Sequence, residues 1–87
     1  MSVFLISYDL RKPDFDYEPL YGALDEIRAK RVQDSVWGVR SADSASQVFD
    51  YLWQHMHSAR DRLFVVPFDY GDKNYKGKNS INMLKSI

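Results

Sequence analysis

An α+β fold, with one antiparallel sheet covered on one face by two helices, is predicted by three features of the sequence. Two short runs are apolar at both alternating positions, two segments carry apolar residues at helical spacing, and an extended pair of segments lies between those helices. The first run, Val3-Phe4-Leu5-Ile6-Ser7-Tyr8, ends at Asp9 and is followed by Pro13. A strand apolar on both faces belongs in the middle of a sheet. Leu20, Ala23, Leu24 and Ile27 then fall at i, i+3, i+4 and i+7. This is the spacing of an amphipathic helix, with Asp16 or Glu18 near its cap and Pro19 tolerable only in a first turn.

Residues 31–40 read as extended, but the two alternating sets do not separate cleanly. One extra residue near Asp34 or Ser35 repairs the pattern and places Val32 on the side of Trp37 and Val39, so two short strands are expected there. Ser44 followed by Gln47 has the form of a capping box, and Ala45, Val48, Phe49, Leu52 and Met56 continue at helical spacing. Leu63-Phe64-Val65-Val66 is the last doubly apolar run. Pro67 cannot donate to a ladder, so the end of that strand is expected to be unpaired on one side. An additional C-terminal strand is expected over residues 81–84. The order strand, helix, strand pair, helix, strand predicts a ferredoxin-like βαββαβ sandwich.

The 87 residues, 45% hydrophobic and 28% charged, exclude a disordered chain and a two-domain protein. A chain of this length buries only about 60–65% of its unfolded surface, so stabilisation by a partner is expected. With no cysteine, disulfides, thiolate metal sites and redox motifs are excluded. The opening apolar stretch is too short for a secretory signal or a membrane span, so a cytoplasmic location without membrane contact is expected. Twelve Lys plus Arg balance twelve Asp plus Glu, but unevenly. Residues 69–87 carry Lys73, Lys76, Lys78 and Lys85 against only Asp69 and Asp72. The chain therefore divides into a folded unit over residues 1–70 and a basic Gly- and Asn-rich tail over residues 71–87.

Three blocks together resemble the CRISPR-associated Cas-two family and its relatives, which include the VapD toxins. They are the strand closing on Tyr8-Asp9, the segment Arg31-Val32-Gln33-Asp34-Ser35-Val36-Trp37, and the last strand Asp61-Arg62-Leu63-Phe64-Val65-Val66-Pro67-Phe68. The resemblance covers about residues 1–70. Outside it lie the Pro13-Asp14-Phe15-Asp16 stretch and the tail, which suit a stand-alone homologue as well as a component of spacer acquisition. The resemblance implies a symmetric homodimer in which C-terminal segments pair onto the partner's sheet. It also implies that Asp9 faces its twin across the axis, with Ser35 near it. Family members include Mg²⁺- or Mn²⁺-dependent endonucleases of RNA or DNA. Others are non-catalytic scaffolds that hold DNA for an integrase, so an integrase or another defence-system protein is an expected partner.

Phosphodiester hydrolysis without a strong protein nucleophile requires a metal ion, held by one or two carboxylates, to acidify a bound water. Asp9 supplies one carboxylate per chain, and two chains would bridge the ion between them. The alternative is that Asp9 accepts backbone donors in the turn that follows the strand. Ser35 has the same two readings, site residue or ordinary sheet residue. Asp14 reads as solvated loop, and Asp16 as a helix cap. His55 and His57 are two apart, do not share a helix face, and read as a frayed helix end. Phosphate contacts from Arg11, Lys12, Lys30, Arg31, Lys73, Lys76 and Lys78 are weighed against a solvated rim of ordinary charges. Three functions therefore stand open: a metal-dependent endonuclease dimer, a non-enzymatic dimer that binds nucleic acid or protein, and an inhibitor that mimics a Cas-two protomer and caps an assembly by edge pairing.

Overall fold

Alternation in the first strand sets the layout of the protein. In the computed structural model, which describes residues 1–69, 71, 74–78 and 85–87, β1 (Ser2–Asp9) is hydrogen-bonded on both sides. It is followed by α1 (Glu18–Glu26), β2 (Lys30–Gln33), β3 (Val36–Ser41), α2 (Ala45–Trp53) and β4 (Arg62–Phe68). The strands form one sheet of order β2-β3-β1-β4, antiparallel at every pairing. This is the strand order of a ferredoxin-like α+β sandwich. The doubly apolar first run is central, as expected.

Phe4, Ile6 and Tyr8 of β1 face the helices, level with Val39 and Trp37 of β3 and with Val65 and Leu63 of β4. Leu20, Ala23 and Leu24 of α1 and Val48 and Leu52 of α2 close over them, so both helices occupy the same face. Full burial of Ile6, Leu20, Leu24 and Leu52 contributes about 1.5–3 kcal/mol for each side chain. The Trp37 indole donates from Nε1 to the Tyr8 hydroxyl at 3.0 Å, and that hydroxyl donates in turn to the Asp34 carbonyl at 3.4 Å, so the polar atoms of both buried aromatics are engaged. Burial holds the Tyr8 hydroxyl above its ordinary pKa of 10.0 against the opposing effect of that hydrogen bond.

The helix boundaries follow local chemistry. The Ser44–Gln47 capping box is present in both directions: Gln47 N donates to Ser44 Oγ at 3.1 Å, and Ser44 N donates to Gln47 Oε1 at 2.8 Å. At α1 the N-cap is Tyr17, with no side-chain cap bond of its own, and Pro19 sits in the first turn as anticipated. Asp16, one residue before that cap, accepts the Glu18 amide at 3.0 Å. Past α1 the chain closes with Arg28 N donating to Asp25 O and Ala29 N to Leu24 O, both at 2.9 Å. This Schellman closure requires a left-handed residue, and Arg28 supplies it at φ 62°. Both helices span nine residues, so α2 ends before Met56. Met56 remains buried because the chain tightens into i to i+3 bonds from His55 and Met56 rather than fraying outward.

One expectation about the middle hairpin needs correction. The break does yield two strands, but the register shift lies between Arg31 and Gln33 rather than at Asp34 or Ser35, which form the turn. In consequence Arg31, not Val32, pairs with Trp37, and its guanidinium stacks 4.9 Å from the indole centroid. A cation over an indole face is favourable, and it explains how a charged residue occupies a position that alternation reserves for an apolar one. The strand expected over residues 81–84 lies outside the described residues. In the tail, Tyr75 packs edge-on against Phe68 with ring centroids 5.0 Å apart, and Arg40 donates to the Ile87 carbonyl at 2.9 Å.

Because Trp37 is only 9% exposed and bonded to Tyr8, Trp37→Asp should abolish cooperative unfolding, as followed by near-ultraviolet circular dichroism on heating. Conversely, Arg28→Gly removes a Cβ from a left-handed position and should raise stability by about 1 kcal/mol in urea denaturation.

Candidate functional site

The end of the sheet where β1 and β3 carry Asp9 and Val36 gathers several of the residues singled out from the sequence. Asp9 pairs in register with Arg62, and cross-strand partners share a face, so both lie on the side of the sheet without helices. The side chain of Asp9 is 58% exposed, and its Oδ2 lies 3.6 Å from a guanidinium nitrogen of Arg11. Ser35 reaches the same end through its carbonyl, which accepts the Tyr8 amide at 3.1 Å. Its side chain is exposed.

The other basic residues distribute differently. Lys12 forms an ion pair with Asp14, whose carboxyl is held below its usual range by that contact. Lys30 pairs with Gly38, which pairs with Leu5, so it shares the helix-free face, on the edge strand and level with the middle of β1. Arg31 lies over Trp37 on the opposite, helix-covered side. Lys76 and Lys78 are exposed and follow Tyr75, which rests on Phe68 opposite Val3. Six strand steps separate Val3 from Asp9, about 20 Å, so Tyr75 packs against the far end of the sheet. Lys73 lies outside the described residues.

Asp61 organises this region, although its position in the sequence does not announce it. Among the described residues it is the buried charged one, 7% exposed. Its Oδ1 accepts the Arg11 amide at 2.8 Å and the Tyr17 hydroxyl at 2.6 Å, while its Oδ2 accepts the His57 amide at 2.7 Å. Burial alone would push this carboxyl up. The Arg11 amide, the Tyr17 hydroxyl, the His57 amide and the His57 charge outweigh burial and hold it below its ordinary value of 3.8. The carboxylate thereby ties the loop after β1 to the turn before β4. Phe15 packs beside it, edge-on to His57 at 5.6 Å and tilted against Tyr17 at 5.0 Å. The Pro13-Asp14-Phe15-Asp16 stretch is thus anchored. The run Arg60-Asp61-Arg62 was the available signal for this region, an acid between two bases at a strand start.

On the helix-free face, Phe64 is 57% exposed and Val66 38% exposed. They lie across from Ser7 and Leu5 of β1. Together they make a partly apolar surface that borders Asp9 at one end and the Phe68–Tyr75 contact at the other.

No protein-family model matches the chain, and no solved structure matches it at a significant level. The class the coordinates define is a ferredoxin-like α+β domain. Among the described residues, no helix is long and apolar enough to cross a membrane.

Neutralising Asp61 should destabilise the fold in a pH-dependent way. A depressed carboxyl contributes stability above its unfolded pKa and loses that contribution as pH falls through the folded value. Asp61→Asn should therefore cost about 1–3 kcal/mol in urea unfolding at pH 7. The gap to wild type should narrow once the pH drops below about 4, and finish closing as it falls through the depressed pKa.

Proposed function

We propose that this chain is a Cas-two-like homodimeric endonuclease that cleaves phosphodiester bonds in RNA or DNA with Mg²⁺ or Mn²⁺. The observation that carries the reading is Asp9, an exposed carboxylate at the end of the central strand, on the helix-free face and flanked by Arg11 and Arg62. An acid for a metal ion and guanidiniums for a phosphate are the two requirements of such a site, and they stand side by side.

One chain does not supply enough ligands. Among the described residues, no group of three His, Cys, Asp or Glu side chains is placed to hold a metal ion. Mg²⁺ commonly keeps several waters and takes one or two carboxylates, so Asp9 from each of two chains would suffice where one would not. A bound ion would acidify a water and offset phosphate charge, and Arg11 would balance Asp9 in its absence. Dimerisation through the helix-free face accords with the exposure of Phe64 and Val66 and with the small core of an 87-residue chain.

A second reading, a non-catalytic dimer that holds nucleic acid or a protein such as an integrase, is favoured by a different feature. The Asp9–Arg11 ion pair and the single carboxylate per chain suit a surface that binds as much as one that cleaves.

Two experiments decide between them. Light scattering should find twice the chain mass for wild type and a single chain for Val66→Glu, and a wild-type monomer at working concentration would remove the shared site. Incubation of RNA and duplex DNA with Mg²⁺ or Mn²⁺ across a pH range should give cleavage by wild type and at least a hundredfold slower cleavage by dimeric Asp9→Asn. Equal rates, or none in either protein, would sink the catalytic reading. Oligonucleotide capture that survives Asp9→Asn but is lost on truncation after Phe68 would then support the scaffold.

A further inference from the structure

We propose that Arg11, Arg60 and Arg62 form a binding site for a nucleic-acid phosphate, built into the cleft beside the start of β4 and independent of whether the bond is cut. The cleft has a volume of about 490 Å³ and is lined by Arg11, Ala59, Arg60, Asp61 and Arg62. Three of the five lining residues are arginines. They come from two separate stretches of chain, the loop after β1 and the turn leading into β4.

The balance of charge in the cleft favours an anion. Against three guanidiniums stand two carboxylates, Asp61 in the wall and Asp9 at the margin. Asp61 is already engaged: both of its oxygens accept donors from Arg11, Tyr17 and His57. Asp9 lies 3.6 Å from Arg11, a loose and exposed ion pair of the kind that contributes little. No ion pair within 4.0 Å occupies Arg60 or Arg62 among the described residues. Guanidiniums present planar forks of N–H donors that match phosphate oxygens, and they are less strongly hydrated than ammonium groups. Three of them around one open cleft therefore offer more to a phosphate than the scattered lysines do.

The arrangement is also built rather than incidental. Asp61 clamps the Arg11 amide at 2.8 Å, and the Arg60 and Asp61 amides both donate to the His57 carbonyl, at 3.2 and 2.9 Å. The turn that presents Arg60 is thus closed by backbone bonds, while Arg62 is held by the β1–β4 ladder opposite Asp9. Asp61 acts here as a positioning residue: it brings Arg11 to the two arginines that flank it in sequence. Its burial has a use beyond satisfying a loop.

This site deepens the nucleic-acid reading and rests on it only for the identity of the ligand. It extends that reading by adding Arg60 to Arg11 and Arg62, and these three arginines need no metal ion to bind a phosphate. The phosphate could be an internal diester or a terminal monoester of a strand, and both present the same oxygens to the arginines.

The test uses the full chain and two probes, inorganic phosphate and a twelve-nucleotide single strand with or without a 5′-phosphate. In heteronuclear NMR at constant ionic strength, phosphate should shift the amides of residues 9–12 and 59–62 in wild type. The double variant Arg60→Gln/Arg62→Gln should lose these shifts while keeping the wild-type melting temperature, because both positions are exposed. In fluorescence anisotropy without divalent ions, each single variant should weaken strand binding. It should also lower the slope of log affinity against log salt by about 0.7–1, the loss of one phosphate contact. Lys78→Gln should leave the NMR shifts unchanged. Binding that depends on the 5′-phosphate assigns the cleft to a strand end, and binding that does not assigns it to the backbone. Strand binding and salt slope unchanged in the double variant, or phosphate shifts absent from both segments in wild type, would overturn the site. Loss of binding in the arginine variants with no cleavage by wild type would leave the site standing and remove only the hydrolytic reading.

Discussion

Two nine-residue helices can cover one face of a four-stranded sheet and no more, and most of what is distinctive in this protein follows from that constraint. The covered face concentrates the core: Phe4, Ile6, Trp37 and Val39 meet Leu20, Leu24, Val48 and Leu52. The uncovered face carries Leu5, Val66 and Phe64 at its centre, Asp9 and Arg62 at one end, and the packed Phe68–Tyr75 pair at the other. Phe64 and Val66 thereby stay open to solvent on the face without helices. That open face also carries Asp9 at its edge.

The charged groups at that end are ordered by a hierarchy of burial. Asp61, nearly sealed and triply hydrogen-bonded, is fixed, and it fixes the backbone of Arg11. Asp9 and the guanidiniums lie outside it, exposed and loosely paired, so they remain available to an incoming charge. An interior carboxylate with satisfied oxygens and a rim of underused cations is a common division of labour, because desolvation makes an unpaired buried charge costly and an exposed one cheap. The anchoring of Phe15 against Tyr17 and His57 belongs to the same arrangement, since it holds the long loop against the turn that presents Arg60.

The elements were legible where one local rule decided them. The Ser44–Gln47 box, the first-turn position of Pro19 and the central place of the first apolar run each rest on local sequence, and each is found. The hairpin between the helices was legible only in part. Alternation shows that one residue is out of step and suggests Asp34 or Ser35, but it does not say where the ladder absorbs it, and a cation stacked on an indole is invisible to a pattern that sorts only apolar from polar. Of the residues singled out for function, Asp9, Arg11 and Ser35 do gather at one sheet end. Lys30, Arg31, Lys76 and Lys78 do not. Arg60 and Arg62 were missed because they enter that group through the β1–β4 register and the Asp61 clamp, which join residues about fifty positions apart.

Taken alone, the sequence determined the class of fold, the order of its elements and the residues of its core. Hydrophobic spacing is a property of a short window and reports which side of a helix or strand meets water. The tertiary structure decided which charges meet. Register, a loop clamp and the choice of covered face act between distant segments, so the company kept by Asp9 and the burial of Asp61 could be read only once the strands were laid side by side.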